Sequence, residues 1–267
     1  MLDDLLDSIE IREDSINLAI DADGLLFLSC YSYKDDWNIE YAYMNFCGRV
    51  ESIKREMYKV ASSIDDVKLC FSAKKSFMHD IYPDYKLNRS KPDEDAKKLR
   101  AYVTELKKLI YSRVKGIAEA STEVEADLLV IMYAYKGYYV SAMDSDVKNQ
   151  CPTPCFNFHS KTWSFVHMGL FSHDIYKSVL IDSIAGKSKD NVKGVKGSGK
   201  VGATKFVNQL ANNIKDFSDY VDLFDTPEDM LMNVRLCDMS QYKEGKLNMT
   251  SVADINNMIL GIDDTPF

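Results

Sequence analysis

The chain alternates short apolar runs with longer amphipathic segments, a pattern typical of strands and helices in an α/β fold. Three apolar runs predict buried strands, at residues 17–20, 67–71 and 138–142. Residues 155–158 and 163–167 predict a β-hairpin around a polar turn. The order of these elements predicts a central, mainly parallel sheet that is flanked by helices.

Segments with apolar residues at three- and four-residue spacing predict the helices. The clearest runs over residues 93–115, after Ser90 and Pro92, which suit the start of a helix. Lysine and arginine cover one side of it, and the other side is apolar: Leu99, Tyr102, Val103, Leu106, Leu109 and Ile110. Further helices are predicted over residues 41–60, 123–135 and 203–214.

Acidic side chains follow these elements at several separate places. Asp21 and Asp144 come directly after predicted strands, where ligands of parallel sheets bind. The other short acidic stretches contain Glu125, Asp127, Asp146 and Asp190. Carboxylates gathered in one cleft repel one another unless a cation neutralises them, and oxygen ligands suit Mg²⁺ or Mn²⁺. The pattern therefore indicates a site for metal-dependent phosphoryl transfer, with solvated aspartates in turns as the alternative.

Composition limits the classes of function. With 267 residues and 46% hydrophobic content, the chain can bury a core as one large or two small domains. A net charge of −8 argues against a simple electrostatic nucleic-acid binder, but the charge is uneven. Residues 187–205 contain six lysines and one aspartate, and residues 74–115 are also basic. We therefore expect phosphate contacts at these two segments.

The sequence also favours a soluble, cytoplasmic protein. Its six cysteines stand singly, as is usual for reduced thiols, and the first residues are acidic where a secretory signal would be basic. The apolar run 128–135 is too short to span a membrane. No membrane contact is expected.

A glycine-rich segment precedes the helix predicted at 203–214. Four glycines in nine residues let the backbone approach a phosphate, and interleaved lysines add an attraction that does not depend on base sequence. Val201 after Lys200 argues against a nucleotide P-loop, which has Ser or Thr there. We expect this segment to grip a DNA backbone, with a flexible loop as the alternative. The expected contacts are Gly194, Lys196, Gly197, Ser198, Gly199, Lys200, Thr204 and Lys205.

Together these motifs resemble the 5′-nucleases, a family that includes flap endonucleases, phage 5′→3′ exonucleases and the nuclease domain of bacterial DNA polymerase I. The resemblance runs from about residue 18 to about residue 210, and its order and spacing make it specific. Its matching pieces are residues 20–24, 71–77, 85–89, 125–127, 144–146 with Gln150, and 186–204.

The resemblance implies a site with one or two Mg²⁺ or Mn²⁺ ions. It implies that Asp21, Glu125 and Asp127 hold the first ion, and that Asp144 and Asp146 share the second with Asp190 in an outer position. The resemblance also implies a K⁺ ion at the glycine-rich hairpin.

A further implication concerns the base of a helical arch over the cleft. Lys86 and Arg89 match residues that touch the scissile phosphate, and Tyr85 matches an aromatic that stacks on the terminal base. An ordinary solvated turn is the alternative interpretation of this short segment.

Two positions depart from the family pattern. Ser72 and Lys187 stand where the family usually has aspartate, one for each metal ion. The Lys187 ammonium, if it lies near Asp144 and Asp146, would compete with the second ion. If it points away, Asp182 or Asp190 would serve instead.

The resulting expectation is an α/β nuclease core over residues 1–180, with a helical arch at about 74–115. A helical region over 181–267 would carry a helix-hairpin-helix element at about 186–214. The expected function is a 5′→3′ exonuclease or flap endonuclease acting on DNA 5′ ends, flaps or nicks, and also on RNA in hybrids. The alternative is an inactive relative that binds branched DNA.

The chain is expected to be a monomer in the cytoplasm of a bacterial or phage-infected cell. Its last seven residues, 261–267, resemble the acidic, Phe-terminated tips of single-strand-binding proteins. A disordered acidic terminus is the favoured interpretation of this ending, and contact with a replication partner such as a polymerase or a single-strand-binding protein is the alternative.

Overall fold

A six-stranded sheet forms the centre of the protein. The computed structural model describes residues 13–89, 93–114, 118–120, 123–164, 171–243 and 245–262. The strand order is β3-β2-β1-β4-β5-β6, and only the last pair is antiparallel. The strands are β1 (Glu13–Asp21), β2 (Ala61–Phe71), β3 (Ala118–Ala120), β4 (Tyr139–Ser141), β5 (Cys155–Asn157) and β6 (Thr162–Ser164). The mainly parallel α/β sheet predicted from the sequence is confirmed.

Helices cover both faces of this sheet. Those of the sheet region are α1 (Ala22–Tyr31), α2 (Ile39–Met57), α3 (Met78–Ile81), α4 (Glu94–Arg113), α5 (Ala126–Ala134) and α6 (Ser145–Gln150). The predicted helix over 93–115 is therefore present as α4. On its predicted apolar side, Leu99, Tyr102, Leu106 and Ile110 are buried, and Val103 and Leu109 are half-buried. Ser90 and Pro92 lie outside the described residues, and Asp93 caps the helix by accepting a hydrogen bond from the Ala96 N–H.

The alternation of side chains along β1 explains the two layers of the core. Leu18 and Ile20 face α1, α2 and α4, whereas Ala19 between them faces α5. All three are fully buried. Because helices cover both faces of this central parallel strand, its sequence is apolar at consecutive positions over residues 18–20 rather than alternating.

The rest of the chain is mostly helical and has its own apolar core. Its helices are α7 (Phe171–Ala185), α8 (Lys200–Ala211), α9 (Phe217–Val221), α10 (Pro227–Cys237) and α11 (Val252–Leu260). Two short hairpins join them, β7 (Gly186–Lys187) with β8 (Val192–Lys193), and β9 (Tyr242–Lys243) with β10 (Lys246–Leu247). Tyr220, Met230 and Ile255 are fully buried at the centre of this helical core.

Within the described part of the chain, no helix combines the length and the apolar character needed to cross a membrane.

Candidate active site

The carboxyl ends of β1 and β4 bring two aspartates together. These strands are parallel neighbours, so Asp21, the last residue of β1, and Asp144, just beyond β4, lie at the same edge of the sheet. Each carboxylate also caps a helix. Asp21 accepts a hydrogen bond from the Asp23 N–H (3.1 Å), and Asp144 accepts one from the Asp146 N–H (2.9 Å). Capping fixes both carboxylates at the point where strand passes into helix.

A cleft of about 550 Å³ opens at this edge, and we call it the acidic cleft. Its wall carries six carboxylates and four ammonium groups, from Glu125, Asp127, Asp144, Asp146, Asp182, Asp190, Lys86, Lys187, Lys189 and Lys200. Asp21 lies close enough to raise the pKa of Asp127 by electrostatic repulsion. Acidic residues that are far apart in sequence thus converge on one place.

The carboxylates at the sheet end of the acidic cleft carry charge that the protein does not neutralise well. Burial, followed by repulsion from Asp23, raises the pKa of Asp21 to about 7. Burial, followed by repulsion from Asp21 and Asp144, raises the pKa of Asp127 well above its ordinary value. Carboxylates whose pKa values are raised by burial and by neighbouring carboxylates favour a bound cation or protons.

The donor atoms fit a hard divalent cation, because all are carboxylate oxygens. Among the described residues, however, no three Asp, Glu, His or Cys side chains already lie at ligand spacing. The acidic cleft therefore gathers suitable ligands without presenting a closed coordination sphere.

Lys86 lies beside the acidic cleft in an unusual backbone conformation. Its φ is +56°, which is uncommon for a residue with a side chain. Its N–H donates to the Asp190 carbonyl (2.8 Å), and its Nζ donates to Glu125 Oε2 (2.6 Å). Such strain persists only where surrounding contacts enforce it, which is frequent at functional sites.

Tyr85 does not suit the role that the resemblance implied for it. Its side chain is 5% exposed, its ring packs edge-on against His79, and its hydroxyl lies 3.3 Å from Glu125 Oε2. A buried ring offers no face on which a base can stack, so the stacking expectation is corrected. Instead, Tyr85 supports the Glu125 carboxylate. The backbone of Arg89 belongs to a short 3₁₀ helix, Leu87–Arg89.

The Lys187 side chain points into the acidic cleft. Its Nζ lies 2.8 Å from Asp146 Oδ2, and both side chains are mostly buried. Of the two alternatives that the sequence left open, the structure therefore selects the one in which the ammonium neutralises this carboxylate.

Ser72 has a structural use that its sequence position did not reveal. Its hydroxyl accepts a hydrogen bond from the Ala126 N–H (2.9 Å) at the start of α5, where the side chain of the N-cap residue Glu125 makes no capping hydrogen bond. Its backbone N–H donates to Asp23 Oδ2 (3.2 Å). Serine thus orders the backbone that carries the cleft carboxylates.

Lys107 was missed by the sequence analysis. It lies on α4, donates from Nζ to the Ser72 carbonyl (2.8 Å), and is close enough to Asp23 for their charges to interact. Burial lowers its pKa. The sequence shows only that Lys107 lies beside the apolar face of the predicted helix. This position does not predict which residues the side chain contacts.

The glycine-rich segment forms a turn that leads into α8. Lys196, Lys200 and Lys205 are exposed there, and Thr204 donates its hydroxyl to the Lys200 carbonyl (2.8 Å). Lys200 Nζ lies 3.9 Å from Asp182 Oδ1, so this basic surface reaches the rim of the acidic cleft. Gly197 has φ +81°, and Ser198 and Gly199 complete the turn before the helix.

The segment expected at the base of the arch is hydrogen-bonded to the turn after β7. Asn88 Nδ2 donates to the Ser188 carbonyl (2.8 Å), and Asn191 Nδ2 donates to the Asp84 carbonyl (2.8 Å). Tyr82 donates its hydroxyl to the Asn191 carbonyl (3.3 Å). These bonds connect two walls of the acidic cleft that are about a hundred residues apart in sequence.

Comparison of the sequence with protein-family models and with curated proteins finds no match. Solved structures do match. A flap endonuclease of bacteriophage T5, described as a pseudo-enzyme-product complex with DNA and metal ions, aligns with a TM-score of 0.65 at 16% identity, over 92% of this chain and 98% of that one. A T5 5′-exonuclease with bound zinc aligns with a TM-score of 0.64 at 17% identity, over 93% and 99%.

A third T5 structure, crystallised with metal ions, aligns with a TM-score of 0.62 at 16% identity, covering 85% of this chain and 90% of that one. At these identities the likeness concerns the fold, and it extends over nearly the whole of both chains. The chain therefore has the fold of the 5′-nuclease family.

Proposed function

We propose that this protein is a divalent-metal-dependent 5′-nuclease that hydrolyses phosphodiester bonds near DNA 5′ ends. It would act as a 5′→3′ exonuclease or flap endonuclease, with RNA in hybrids as a further substrate. The observation that carries the proposal is the convergence of Asp21, Asp127 and Asp144 at one sheet edge. The 5′-nuclease fold and the adjacent basic surface support it.

The cleft residues have distinct parts in this proposal. Asp21, Asp127 and Asp144 would hold Mg²⁺ or Mn²⁺, which supplies Lewis-acid activation and offsets charge on the phosphate. Lys86, held against Glu125 at 2.6 Å, places a positive charge beside these carboxylates. An ammonium there attracts the scissile phosphate and orients it toward the ion.

The turn before α8 would bind the duplex. Exposed Lys196, Lys200 and Lys205 attract phosphates, and the N–H groups at the start of α8 add to this attraction. None of these groups requires a particular base, so binding would be independent of sequence. In this proposal the turn is the helix-hairpin-helix element, with K⁺ held by its backbone carbonyls.

A hydrolysis assay tests the proposal. The substrate is a 5′-labelled flap duplex with Mg²⁺ or Mn²⁺, and the comparison is between the unaltered chain and Asp144→Ala. Removing this carboxylate should lower the rate about a thousand-fold, because several kcal/mol of transition-state stabilisation are lost. The control Asp225→Ala removes an exposed aspartate of the helical region and should keep full activity. Equal background rates for the unaltered chain and Asp144→Ala would refute the nuclease proposal.

One observation favours a second candidate, a relative that binds branched DNA without cutting it. Lys187 and Ser72 leave the acidic cleft two carboxylates short of the family pattern, and Lys187 neutralises Asp146. In that case the unaltered chain would bind the flap duplex without cleaving it. The double substitution Lys187→Asp with Ser72→Asp would then start cleavage.

A further inference from the structure

We infer that the Lys187 ammonium is a built-in cation of the acidic cleft, so that the protein binds one divalent ion where a second would otherwise be required. The inference deepens the proposed function and depends on it, because it specifies how the charge of the same cleft is balanced. It concerns this chain's own side chains and requires no ligand in the structure.

Lys187 and Asp146 form an ion pair inside the acidic cleft. Lys187 Nζ lies 2.8 Å from Asp146 Oδ2, within the distance of a charge-assisted hydrogen bond. The Lys187 side chain is 11% exposed, and Asp182, which is itself buried, also acts on its charge. Water therefore screens this ammonium poorly, and its charge acts mainly on the carboxylates around it.

The backbone of the β7–β8 hairpin holds Lys187 in this position. Lys187 pairs with Val192 in the β7–β8 hairpin. Gly186, the preceding residue, has φ +75°, and a Cβ built on it would lie 2.3 Å from the Gly194 nitrogen. The chain is therefore packed too closely at this point for the hairpin to rotate freely.

The sheet end of the acidic cleft differs from the end that Lys187 occupies. Among the side chains that the structure describes, no lysine or arginine nitrogen lies within 4.0 Å of the carboxylates of Asp21, Asp127 or Asp144. The divalent ion consequently belongs at the sheet end, and the Lys187 ammonium serves the other end.

An ammonium differs from a metal ion in a way that matters for chemistry. It offsets one negative charge and offers no open coordination position to a water or a substrate oxygen. Lys187 would thus lower the electrostatic repulsion around Asp146. Only the single ion, held by Asp21, Asp127 and Asp144, would activate the attacking group.

Counting bound ions tests the inference without any cleavage. The full chain, free of nucleic acid, is titrated with Mn²⁺ and followed by electron paramagnetic resonance and calorimetry. The unaltered protein should bind one ion, and both Lys187→Asp and Lys187→Met should bind two. The matched control Lys189→Met removes a positive charge from the same wall and leaves the Lys187–Asp146 pair in place, so it should still bind one.

The outcomes separate this inference from the proposed function. Two ions on the unaltered protein would overturn the inference and leave a metal-dependent nuclease standing. No ion on the unaltered protein would overturn both. One ion on every variant, with folding confirmed by circular dichroism, would show that Lys187 does not exclude the second. If Lys187→Asp does not fold, Lys187→Met, which keeps a side chain of similar length without the charge, gives the deciding count.

Discussion

The same side-chain type has opposite electrostatic behaviour in different parts of this protein. The pKa of Asp21 rises to about 7 because the carboxyl is buried among other carboxylates. The pKa of Asp66 is lowered, because this carboxylate accepts a hydrogen bond from the Tyr138 hydroxyl (2.7 Å) and lies near Lys68. Environment, rather than residue type, therefore distinguishes the cleft aspartates from the others.

Asp21→Asn should change how stability depends on pH. In the metal-free protein the folded-state pKa of about 7 lies above the ordinary 3.8, so protonation of Asp21 favours the folded state. This stabilisation is complete below about pH 4 and is lost as the pH rises through 7. A difference of about three pH units corresponds to about 4 kcal/mol.

Denaturant unfolding of metal-free protein between pH 4 and pH 8 measures this effect. The free energy of unfolding of Asp21→Asn should fall less between pH 4 and pH 8 than that of the unaltered chain. At pH 8 the variant should therefore be the more stable of the two. Asp225→Asn, an exposed control, should follow the unaltered profile. If Asp21→Asn and the unaltered chain had the same dependence of stability on pH, the pKa of Asp21 would not be raised in the folded protein.

At the scale of elements, the β7–β8 hairpin is positioned by close backbone contact with α7. A Cβ built on Gly194 would lie 2.3 Å from the Ala185 carbonyl oxygen, at the end of that helix. The Val195 N–H donates to the Ile184 carbonyl (2.8 Å) in the same place. Only glycine allows this approach, which sets where Lys187 and the turn before α8 lie.

Gly194→Ala should therefore destabilise the protein by at least about 2 kcal/mol, because the added methyl group forces the backbones apart. The matched control is Gly202→Ala in α8, where no atom lies within 4 Å of the added Cβ. Alanine there should stabilise the protein by about 0.5–1 kcal/mol through its higher helix propensity. Urea titration gives the free energy of unfolding of both variants. An unchanged value for Gly194→Ala would contradict the close approach of the two backbone segments.

At the scale of the whole molecule, Gln150 joins the sheet region to the helical region. Its Nε2 donates to the Cys237 carbonyl (2.9 Å), and its Oε1 accepts from the Met239 N–H (2.9 Å). The side chain is 1% exposed. One amide thus satisfies two backbone groups at the end of α10 from a position at the end of α6.

Gln150→Leu should cost about 2–4 kcal/mol, since it leaves a buried carbonyl and a buried N–H without their partner. Asn149→Leu, an exposed neighbour on the same helix, should change stability by less than about 0.5 kcal/mol. Thermal unfolding monitored by circular dichroism compares the two. A loss below 0.5 kcal/mol for Gln150→Leu would mean that the two regions do not depend on this contact.

Several features of the fold could be predicted from the sequence because they follow from local periodicity. Buried parallel strands require continuous apolar runs, and the amphipathic spacing of Leu99, Leu106 and Ile110 requires one buried helix face. The observed helix starts differ from the predicted ones by one residue at Asp93 and by three at Gly199, because N-caps and turn geometry decide these boundaries. The convergence of Asp21 and Asp144 also followed, because parallel strands end at one edge.

The sequence by itself determined the order of elements, the mainly parallel sheet and the identity of its acidic edge. Only the tertiary structure decided that Tyr85 is buried, that Ser72 caps α5, and that Lys187 neutralises Asp146. These features depend on pairs of residues 40 to 54 positions apart in the sequence, and their distances follow from the packing of whole elements. Sequence periodicity predicts which face of a helix or strand a residue occupies. It does not predict which charged side chain, distant in sequence, will lie against that face.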